Sequence, residues 1–150
     1  MIGLLQRVSA AQVVVDDEEI AAIGRGLMVL IGVECGDSEA QAERLAERLL
    51  GYRVFADDDG KMNRNVCDIA GELLLRPQFT LAADTRKGMR PSFTAAATPE
   101  RGRALFDYLV TWARRTYPKI QTGRFGAEMQ VSLTNDGPVT FWLRAAPPEQ

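Results

Sequence analysis

The first part of the chain is rich in stretches where apolar residues alternate with polar ones or follow one another without interruption. Alternation is typical of a strand with one buried face, and an unbroken apolar run is typical of a strand buried on both faces. We predict strands at Ile2–Val8, Ala10–Val15 and Ile20–Ile23, and a doubly buried strand at Leu27–Val33. This region is therefore expected to form a sheet.

Two later segments carry a helical period instead. In the first, Asp37 or Ser38 can cap a helix that runs to about Leu50, because its side-chain oxygen can accept a bond from a free main-chain N–H. In the second, Thr98 precedes Pro99, and proline suits the first position of a helix. The apolar stripes predicted to face the core are Ala42, Leu45, Ala46, Leu49 and Leu50 in the first helix, and Leu105, Tyr108, Leu109 and Trp112 in the second.

The remaining apolar stretches are again typical of strands. We predict strands at Tyr52–Phe55, Glu72–Leu81, Glu128–Thr134 and Pro138–Arg144, a turn at residues 57–60, a loop at residues 82–97 and a frayed tail at residues 147–150. The last two strands would meet at a hairpin corner, since Asp136-Gly137 is a common turn pair. Strands that mostly follow one another directly indicate one α+β domain, with a largely antiparallel or mixed, barrel-like sheet under two helices.

Composition narrows the class of protein. The 150 residues are enough for one domain with a substantial core. Hydrophobic residues make up 46% and charged residues 25%, and a net charge of −2 excludes a protein that coats nucleic acid by bulk charge. No signal peptide or membrane span is recognised, so we expect a cytoplasmic protein whose Cys35 and Cys67 stay reduced.

The chain contains no histidine. This absence excludes Ser-His-Asp and Cys-His catalysis, because no imidazole is available to take a proton. It also excludes the usual zinc sites, because two separated cysteines cannot supply the tetrahedral ligand set of zinc. An enzyme with this sequence would act by positioning and electrostatics, with no metal and no cofactor, and would leave proton transfer to carboxylates, hydroxyls or the substrate.

Two long segments combine polar side chains with loop residues. Residues 73–93 (LLLRPQFTLAADTRKGMRPSF) place Gln78 to Thr80 near a strand end, beside a basic loop where a ligand with a phosphate could bind. Residues 122–140 (TGRFGAEMQVSLTNDGPVT) bracket Arg124 and Phe125 with glycines before a strand. Taken alone, the first segment is also compatible with a polar strand edge and a solvated loop, and the second with an ordinary glycine-rich turn.

Taken together, these segments resemble the D-aminoacyl-tRNA deacylase family. The resemblance rests on QRV at 6–8, GKMN at 60–63, PQFTLAADTRKGMRPSF at 77–93, TGRFGAEMQVSLTNDGPVT at 122–140, and the chain length, so it covers nearly the whole sequence. It implies a homodimer, with active sites at the subunit interface, that hydrolyses the ester of D-aminoacyl-tRNA and also releases glycine from mischarged tRNA.

The resemblance also implies roles for individual residues. Gln78, Phe79 and Thr80 would form the catalytic wall, with main-chain N–H groups near Gln78 and Phe79 facing the developing oxyanion. Gly137-Pro138, with a cis peptide bond, would bind the substrate from the neighbouring subunit and reject L residues, and Arg7 would brace that dipeptide. Pro77 departs from the family serine, which removes a hydroxyl and an N–H.

Three basic residues, Arg86, Lys87 and Arg90, are the expected contacts to tRNA phosphates. Two other functions stay open at this point. Pro77 could have disabled turnover, leaving a non-catalytic dimer that binds tRNA ends or D-amino acids. The chain could also be an esterase for another activated acyl group, although no sequence feature favours that activity.

Overall fold

The protein folds into a mixed sheet that curves almost into a barrel, with two helices on one face. The structure is a computed structural model and describes residues 1–147. The α+β class, the mixed barrel-like sheet and the two principal helices predicted from the sequence are confirmed. In chain order the elements are β1 (Ile2–Val15), β2 (Glu18–Ile23), β3 (Gly26–Gly32), α1 (Glu39–Gly51), β4 (Phe55–Ala56), β5 (Met62–Arg64), β6 (Glu72–Pro77), a 3-10 helix (Phe79–Ala82), α2 (Pro99–Thr116), β7 (Ile120–Thr122) and β8 (Gln130–Arg144).

The sheet is organised around β1. Its first half pairs antiparallel with β3, its second half with β2, and both halves pair with β8 along the other edge. Beyond β3, the strands β6 and β7 run parallel to it. The Ala22 N–H donates to Oε1 of Gln121 at 2.9 Å, which links β2 to β7 and brings the ends of the sheet together. The prediction of separate strands at Ile2–Val8 and Ala10–Val15 is wrong, because residues 2–15 form one continuous strand that pairs with β2, β3 and β8.

The two helices form as predicted. Before α1, the main-chain N–H of Ser38 donates to Oε1 of Gln41 at 2.7 Å, and before α2 the Thr98 hydroxyl oxygen accepts from the Arg101 N–H at 3.3 Å. All five residues of the first predicted stripe are buried. In α2, Leu105 and Leu109 are buried, whereas Tyr108 and Trp112 are only half-buried.

Apolar side chains pack on both faces of the sheet. On one face, Leu5, Val29 and Leu75 pack against both helices. On the other, inside the curve of the sheet, Val8, Met28 and Leu74 form a smaller cluster. Burial on both faces explains why β3 and β6 have nearly continuous apolar sequences.

The segment expected to turn at a hairpin corner does not reverse direction. Gln130 to Arg144 is one strand that pairs along β1 almost from end to end. Its register with β1 shifts where Val8 faces Asn135 and Gln6 faces Thr140, so four residues bulge out between those pairs. The predicted corner is therefore a β-bulge, a feature that bends a strand locally without ending it.

The strand predicted at Glu72–Leu81 is shorter than expected. It ends at Pro77, and the next residues turn into the 3-10 helix. A Cβ atom at Gly32 would lie 2.9 Å from Cβ of Leu81, so the glycine in β3 permits the turn to pack closely over the sheet. Pro77 has no N–H to donate, and beyond it only the Gln78 N–H still bonds to β3, at the Ile31 carbonyl, before the chain turns away.

Smaller elements complete the fold. The Tyr52–Phe55 strand is displaced to Phe55–Ala56, which pairs with β5 around the predicted turn, and the short strand β7 was not predicted. Of the tail predicted at 147–150, residues 148–150 lie outside the described residues. Neither α1 nor α2 has the combination of length and apolar character that a membrane crossing requires.

Candidate active site

The predicted catalytic residues lie where β6 passes into the 3-10 helix. The Gln78 N–H donates to the Ile31 carbonyl at 2.7 Å, which continues the pairing with β3 by one residue. This N–H is therefore committed to the sheet and is not free to donate elsewhere, contrary to the expectation that it faces an oxyanion. The Phe79 N–H, at the start of the 3-10 helix, has no main-chain acceptor among the described residues. Phe79 and Thr80 are exposed.

A cleft of about 520 Å³ opens beside these residues. Its walls are mainly apolar and include four aromatic rings, and the Phe79 and Phe93 ring centroids are 5.4 Å apart. Clefts of this size with a few polar groups are typical of small-ligand sites. The lining residues most relevant to binding are Arg76, Gln78, Phe79, Phe93, Phe125 and Met129.

Side-chain hydrogen bonds connect the cleft to Thr80. Nη1 of Arg76 donates to Oε1 of Gln78, and Nε2 of Gln78 donates to the Thr80 hydroxyl oxygen. Burial lowers the pKa of the Arg76 guanidinium, because a charged group loses hydration there. Pro77, between these residues in the chain, contributes neither a hydroxyl nor an N–H.

The predicted substrate-binding dipeptide lies in the bulge of β8. The Gly137-Pro138 peptide bond is cis, as predicted, and both residues are exposed. Nε of Arg7 donates to the Asp136 carbonyl at 3.0 Å, and Nη1 donates to the Val54 carbonyl at 2.7 Å. Arg7 thus ties the bulge to the chain before β4.

Asn135 also stabilises this bulge, through two side-chain hydrogen bonds. Its Oδ1 accepts from the Val139 N–H at 3.1 Å, and its Nδ2 donates to the Thr140 hydroxyl at 2.9 Å. A Cβ atom at Gly137 would lie 2.8 Å from Nη2 of Arg7, and the φ of Gly137 is +128°. Only glycine fits this conformation without strain.

The two groups of predicted site residues do not meet within one chain. Among the described residues, no hydrogen bond joins Gln78–Thr80 to Gly137–Pro138, and the cleft wall includes neither the dipeptide nor Arg7. Two strands, β1 and β3, lie between β8 and β6, which separates the dipeptide from β6 by about three strand spacings, or roughly 14 Å, across the sheet. The bulge lies opposite Arg7 and is level with Leu73 at the start of β6, so it is also displaced along the strands from Pro77 at the end of β6.

Comparisons with known proteins identify the family. The family model described as D-Tyr-tRNA(Tyr) deacylase matches residues 4–144. The chain belongs to this family. D-aminoacyl-tRNA deacylases of Thioalkalivibrio sulfidiphilus and Herminiimonas arsenicoxydans are 64% identical over 148 residues and 63% identical over 147 residues. The first alignment covers 99% of both chains, and the second covers 98% of this chain and 99% of the relative.

Solved structures match the deacylase fold over almost the whole chain. The c-Myc DNA Unwinding Element Binding Protein has a TM-score of 0.93 at 39% identity, with 97% of this chain and 99% of that chain covered. A probable eukaryotic D-amino acid tRNA deacylase has a TM-score of 0.85 at 17% identity, covering 96% and 98%, which shows a shared fold. The resemblance found in the sequence, and with it the hydrolase class of the family, is confirmed.

The basic loop of this deacylase-family chain is only partly free to bind an anion. Nη2 of Arg86 lies 2.7 Å from Oδ2 of Asp84, and Nε donates to Oδ1 at 2.9 Å. Arg86 lowers the pKa of the Asp84 carboxyl to about 2. Lys87 and Arg90 are exposed and form no ion pair within residues 1–147. Of the three predicted phosphate contacts, these two remain available.

Sequence reasoning missed part of the candidate site. Neither Asn135 nor Arg76 was singled out: Asn135 lies inside the motif at 122–140, and Arg76 directly precedes the motif at 77–93. Phe125 and Met129 also lie in such a motif, but their place in the cleft depends on β7 and the following loop. Within the described residues, no group of three or more acidic or cysteine side chains is arranged to hold a metal ion.

Proposed function

We propose that this protein hydrolyses the ester of D-aminoacyl-tRNA and releases the free D-amino acid and tRNA. The observation that carries the proposal is the division of the site into two parts. An apolar cleft ends at Gln78 and Phe79, with Thr80 hydrogen-bonded to Gln78 beside it, and a braced main-chain bulge projects at Gly137–Pro138. Membership in the deacylase family supports the reaction, and these two parts suggest how the substrate is held and how its handedness is sensed.

The cleft suits the terminal adenosine of tRNA. Aromatic side chains bind unpaired bases by stacking, and Phe79, Phe93 and Phe125 supply such rings here. An adenine in the cleft would place the 3′ ester at its polar end, near the Gln78–Thr80 hydrogen bond. Lys87 and Arg90 would contact the phosphates of the preceding nucleotides.

The hydrolysis needs no histidine. A water oxygen would add to the ester carbonyl carbon, and the C–O bond to the ribose would then break. The water gives up one proton and the leaving 3′ oxygen takes one, with the neighbouring 2′-hydroxyl assisting this transfer. The Thr80 hydroxyl and the free Phe79 N–H are the donors available to the developing oxyanion, and such a donor contributes about 3–4 kcal/mol in other enzymes.

The bulge at Gly137–Pro138 would act as a chiral gate, that is, the part of the site that accepts D residues and rejects L residues. Main-chain carbonyls accept hydrogen bonds from the α-ammonium group of a D residue, whereas an L side chain would be directed into the same space. Each buried carbonyl left unpaired would cost about 1–3 kcal/mol, and steric overlap adds to that cost. Because the contact is to main chain, different D side chains should be accepted. Glycine has no side chain, so glycyl-tRNA should also be cleaved.

A second copy of the chain is the expected source of the gate. On the sheet face away from the helices, Leu4 lies beside Leu30 and Trp142, and Trp142 is 56% exposed. Within the described residues, β8 pairs with β1 alone, so its other edge is open. Exposed apolar surface beside an open edge is typical of an interface. A homodimer built there would bring one bulge toward the partner's cleft and complete the site.

The proposal is tested with D-tyrosyl-tRNA and L-tyrosyl-tRNA. We expect purified protein to release D-tyrosine at least ~100-fold faster than L-tyrosine, since two unpaired carbonyls account for about 3 kcal/mol. Equal release from both, or release from neither, would reject the function. D-tyrosyl-tRNA that binds but persists would instead identify the non-catalytic binding protein.

A substitution of Gly137 distinguishes a deacylase that selects D substrates from a general esterase. Gly137→Ala should abolish D-tyrosyl-tRNA hydrolysis or allow the L substrate to react, because its Cβ would displace Arg7 or Val139. Gly51→Ala is the matched control, since a Cβ there has no neighbour within 4 Å. A general esterase would be insensitive to both changes.

A further inference from the structure

One charged side chain lies in the wall of the cleft without a counter-ion. Among the described residues that line the cleft, only Arg76 carries a charge, and it forms no ion pair within residues 1–147. Keeping an unpaired cation away from water costs free energy. A ligand with a negative charge would offset that cost, so the cleft favours an anion.

The Arg76 guanidinium has hydrogen-bond donors that the protein does not use. Nη1 donates to Oε1 of Gln78, whereas Nε is buried without a partner. Nη2, which shares an edge of the group with Nε, also has no acceptor among residues 1–147, but it is not buried in the same way. Because a guanidinium only donates and its planar edge matches two adjacent phosphate oxygens, this edge suits a phosphate.

The rest of the wall indicates what else the anion carries. The Phe79 and Phe93 rings, with centroids 5.4 Å apart, and the Phe125 ring line the same cleft as Arg76. Unpaired bases bind to proteins by stacking on such rings. Among the described residues, no acidic side chain lines the cleft and would repel a phosphate. A nucleotide, which combines a flat base with a phosphate, matches both features of the wall.

We propose that Arg76 binds the 5′ phosphate of the nucleotide whose base occupies the cleft, so that the cleft recognises a nucleoside 5′-phosphate and not the nucleoside alone. This proposal rests on the proposed function, in which that nucleotide is the terminal adenosine of tRNA. The 3′ oxygen and the 5′ phosphate belong to one ribose, so an ester near Gln78 leaves the phosphate within reach of Arg76, which is bonded to Gln78. Lys87 and Arg90 would then contact phosphates further from the ester.

The local packing holds Arg76 in place for this role. Its backbone pairs with Leu30 in the parallel ladder between β3 and β6, in the last part of the strand before Pro77. A Cβ atom at Gly123 would lie 3.3 Å from Cγ of Arg76, so the side-chain stem packs against the segment that follows β7. A fixed stem limits the positions open to the guanidinium, which lowers the entropy lost when a ligand binds.

Calorimetric titration with adenosine 5′-monophosphate (AMP) and with adenosine tests the proposal without tRNA. We expect the wild type to bind AMP at least ~10-fold more tightly than adenosine, the usual effect of hydrogen bonds between charged groups. Arg76→Met should remove most of this preference and leave the affinity for adenosine nearly unchanged. Arg103→Met, the same change at an exposed position of α2, is the matched control and should keep the preference.

Three results of these titrations would overturn the proposal. They are a wild type that binds AMP no better than adenosine, a folded Arg76→Met protein that keeps the preference, and an equal loss of both affinities in that variant. If Arg76→Met does not fold, NMR of the wild type decides. The Nε–H signal of Arg76 should shift when AMP is added and stay in place with adenosine, and the same response to both ligands would count against the phosphate contact.

Kinetics connect the phosphate contact to the proposed reaction. We expect Arg76→Met to raise KM for D-tyrosyl-tRNA by about 10-fold with little change in kcat, because a phosphate remote from the ester is held equally in the ground and transition states. D-tyrosine esterified to adenosine lacks the phosphate and should be cleaved equally by both proteins. A loss confined to kcat would overturn the proposal. A wild type that cleaves neither enantiomer rejects the deacylase function, while the AMP titration still decides the role of Arg76.

Discussion

Arg7 shows how much of the candidate site depends on single side chains. Its guanidinium donates to carbonyl groups of two separate segments, at Val54 and at Asp136, and Oδ2 of Asp136 lies 3.6 Å from Nε. Only 16% of the Arg7 side chain is exposed; its bond to the Val54 carbonyl is partly buried, whereas its bond to the Asp136 carbonyl lies at the surface. Together with Asn135, Arg7 gives the bulge a shape that the strand ladder alone would not define.

Replacing Arg7 by methionine should therefore loosen the bulge. Hydrogen bonds to a charged group are worth about 1.5–3 kcal/mol, so we expect roughly a 10- to 100-fold loss of kcat/KM on D-tyrosyl-tRNA. Discrimination against the L substrate should fall at the same time. Arg44→Met, at an exposed position of α1, serves as the control. Unaltered discrimination in a folded Arg7→Met protein would show that the bulge needs no brace.

The ion pair in the basic loop gives a prediction about pH. The pKa of Asp84 is lowered to about 2 from 3.8 by Arg86, so the pair is fully formed above about pH 4 and is lost as the pH falls through 2. In Arg86→Ala, the pKa of Asp84 should rise toward 3.8, as measured by NMR titration of its carboxyl carbon. Arg103→Ala should leave it near 2. A pKa that stays low in Arg86→Ala would assign the shift to another group.

At the scale of elements, β8 combines the bulge, an open edge and the exposed Trp142. If this strand forms the dimer interface, a charge on its exposed face should separate the subunits. We expect Trp142→Glu to be monomeric by analytical ultracentrifugation, with a native circular dichroism spectrum and no deacylation. Met62→Glu, on the separate β4–β5 hairpin, should remain dimeric. A dimeric, active Trp142→Glu would place the interface elsewhere.

Sequence patterns predicted the elements whose signals are local. The capping residues and apolar stripes of α1 and α2 follow from neighbours within a turn or two, and both helices formed as expected. The errors concern pairing over long distances. Whether residues 130–144 turn back or continue depends on β1, more than 100 residues away, and the Asp136-Gly137 pair is compatible with a bulge as well as with a hairpin.

Only part of the candidate site could be predicted from the sequence, for the same reason. Gln78, Phe79 and Thr80 could be proposed as site residues because they lie together in one motif, but their predicted strand conformation was wrong: the strand ends at Pro77, and a 3-10 helix follows at Phe79–Ala82. The cleft brings four distant segments of the chain together. No local pattern contains that information.

At the scale of the whole molecule, an ionic cluster connects the start of β1, the end of β8 and the segment that follows β3. The Met1 ammonium lies 2.9 Å from Oδ1 of Asp37 and 3.0 Å from Oε2 of Glu34, and it donates to the Ala145 carbonyl at 2.7 Å. Arg144 pairs with the same Glu34 oxygen at 3.0 Å. Burial raises the pKa of the Asp37 carboxyl, against the opposing effect of the ammonium group. The cluster holds the start of β1 beside the end of β8.

Removing the Asp37 charge should destabilise the fold. Asp37→Asn leaves the buried ammonium with weaker compensation, and loss of one partner of a buried pair costs about 3–5 kcal/mol, of which Glu34 should offset a part. We expect the free energy of unfolding in urea to fall by about 2–3 kcal/mol. Asp107→Asn, in an exposed pair with Arg103, should change it by less than about 0.5 kcal/mol. Equal effects would contradict the structural role of the cluster.

The claim on which the account depends is that each active site combines Gln78–Thr80 of one subunit with Gly137–Pro138 of the other. Mixing Gly137→Ala with Thr80→Val, once each variant alone is shown to be inactive on D-tyrosyl-tRNA, under conditions of subunit exchange tests it most directly. Random exchange should restore about a quarter of wild-type D-tyrosyl-tRNA hydrolysis, because half of the dimers are mixed and each has one intact site. If the mixture stays as inactive as its components although mixed dimers form, the shared site does not exist.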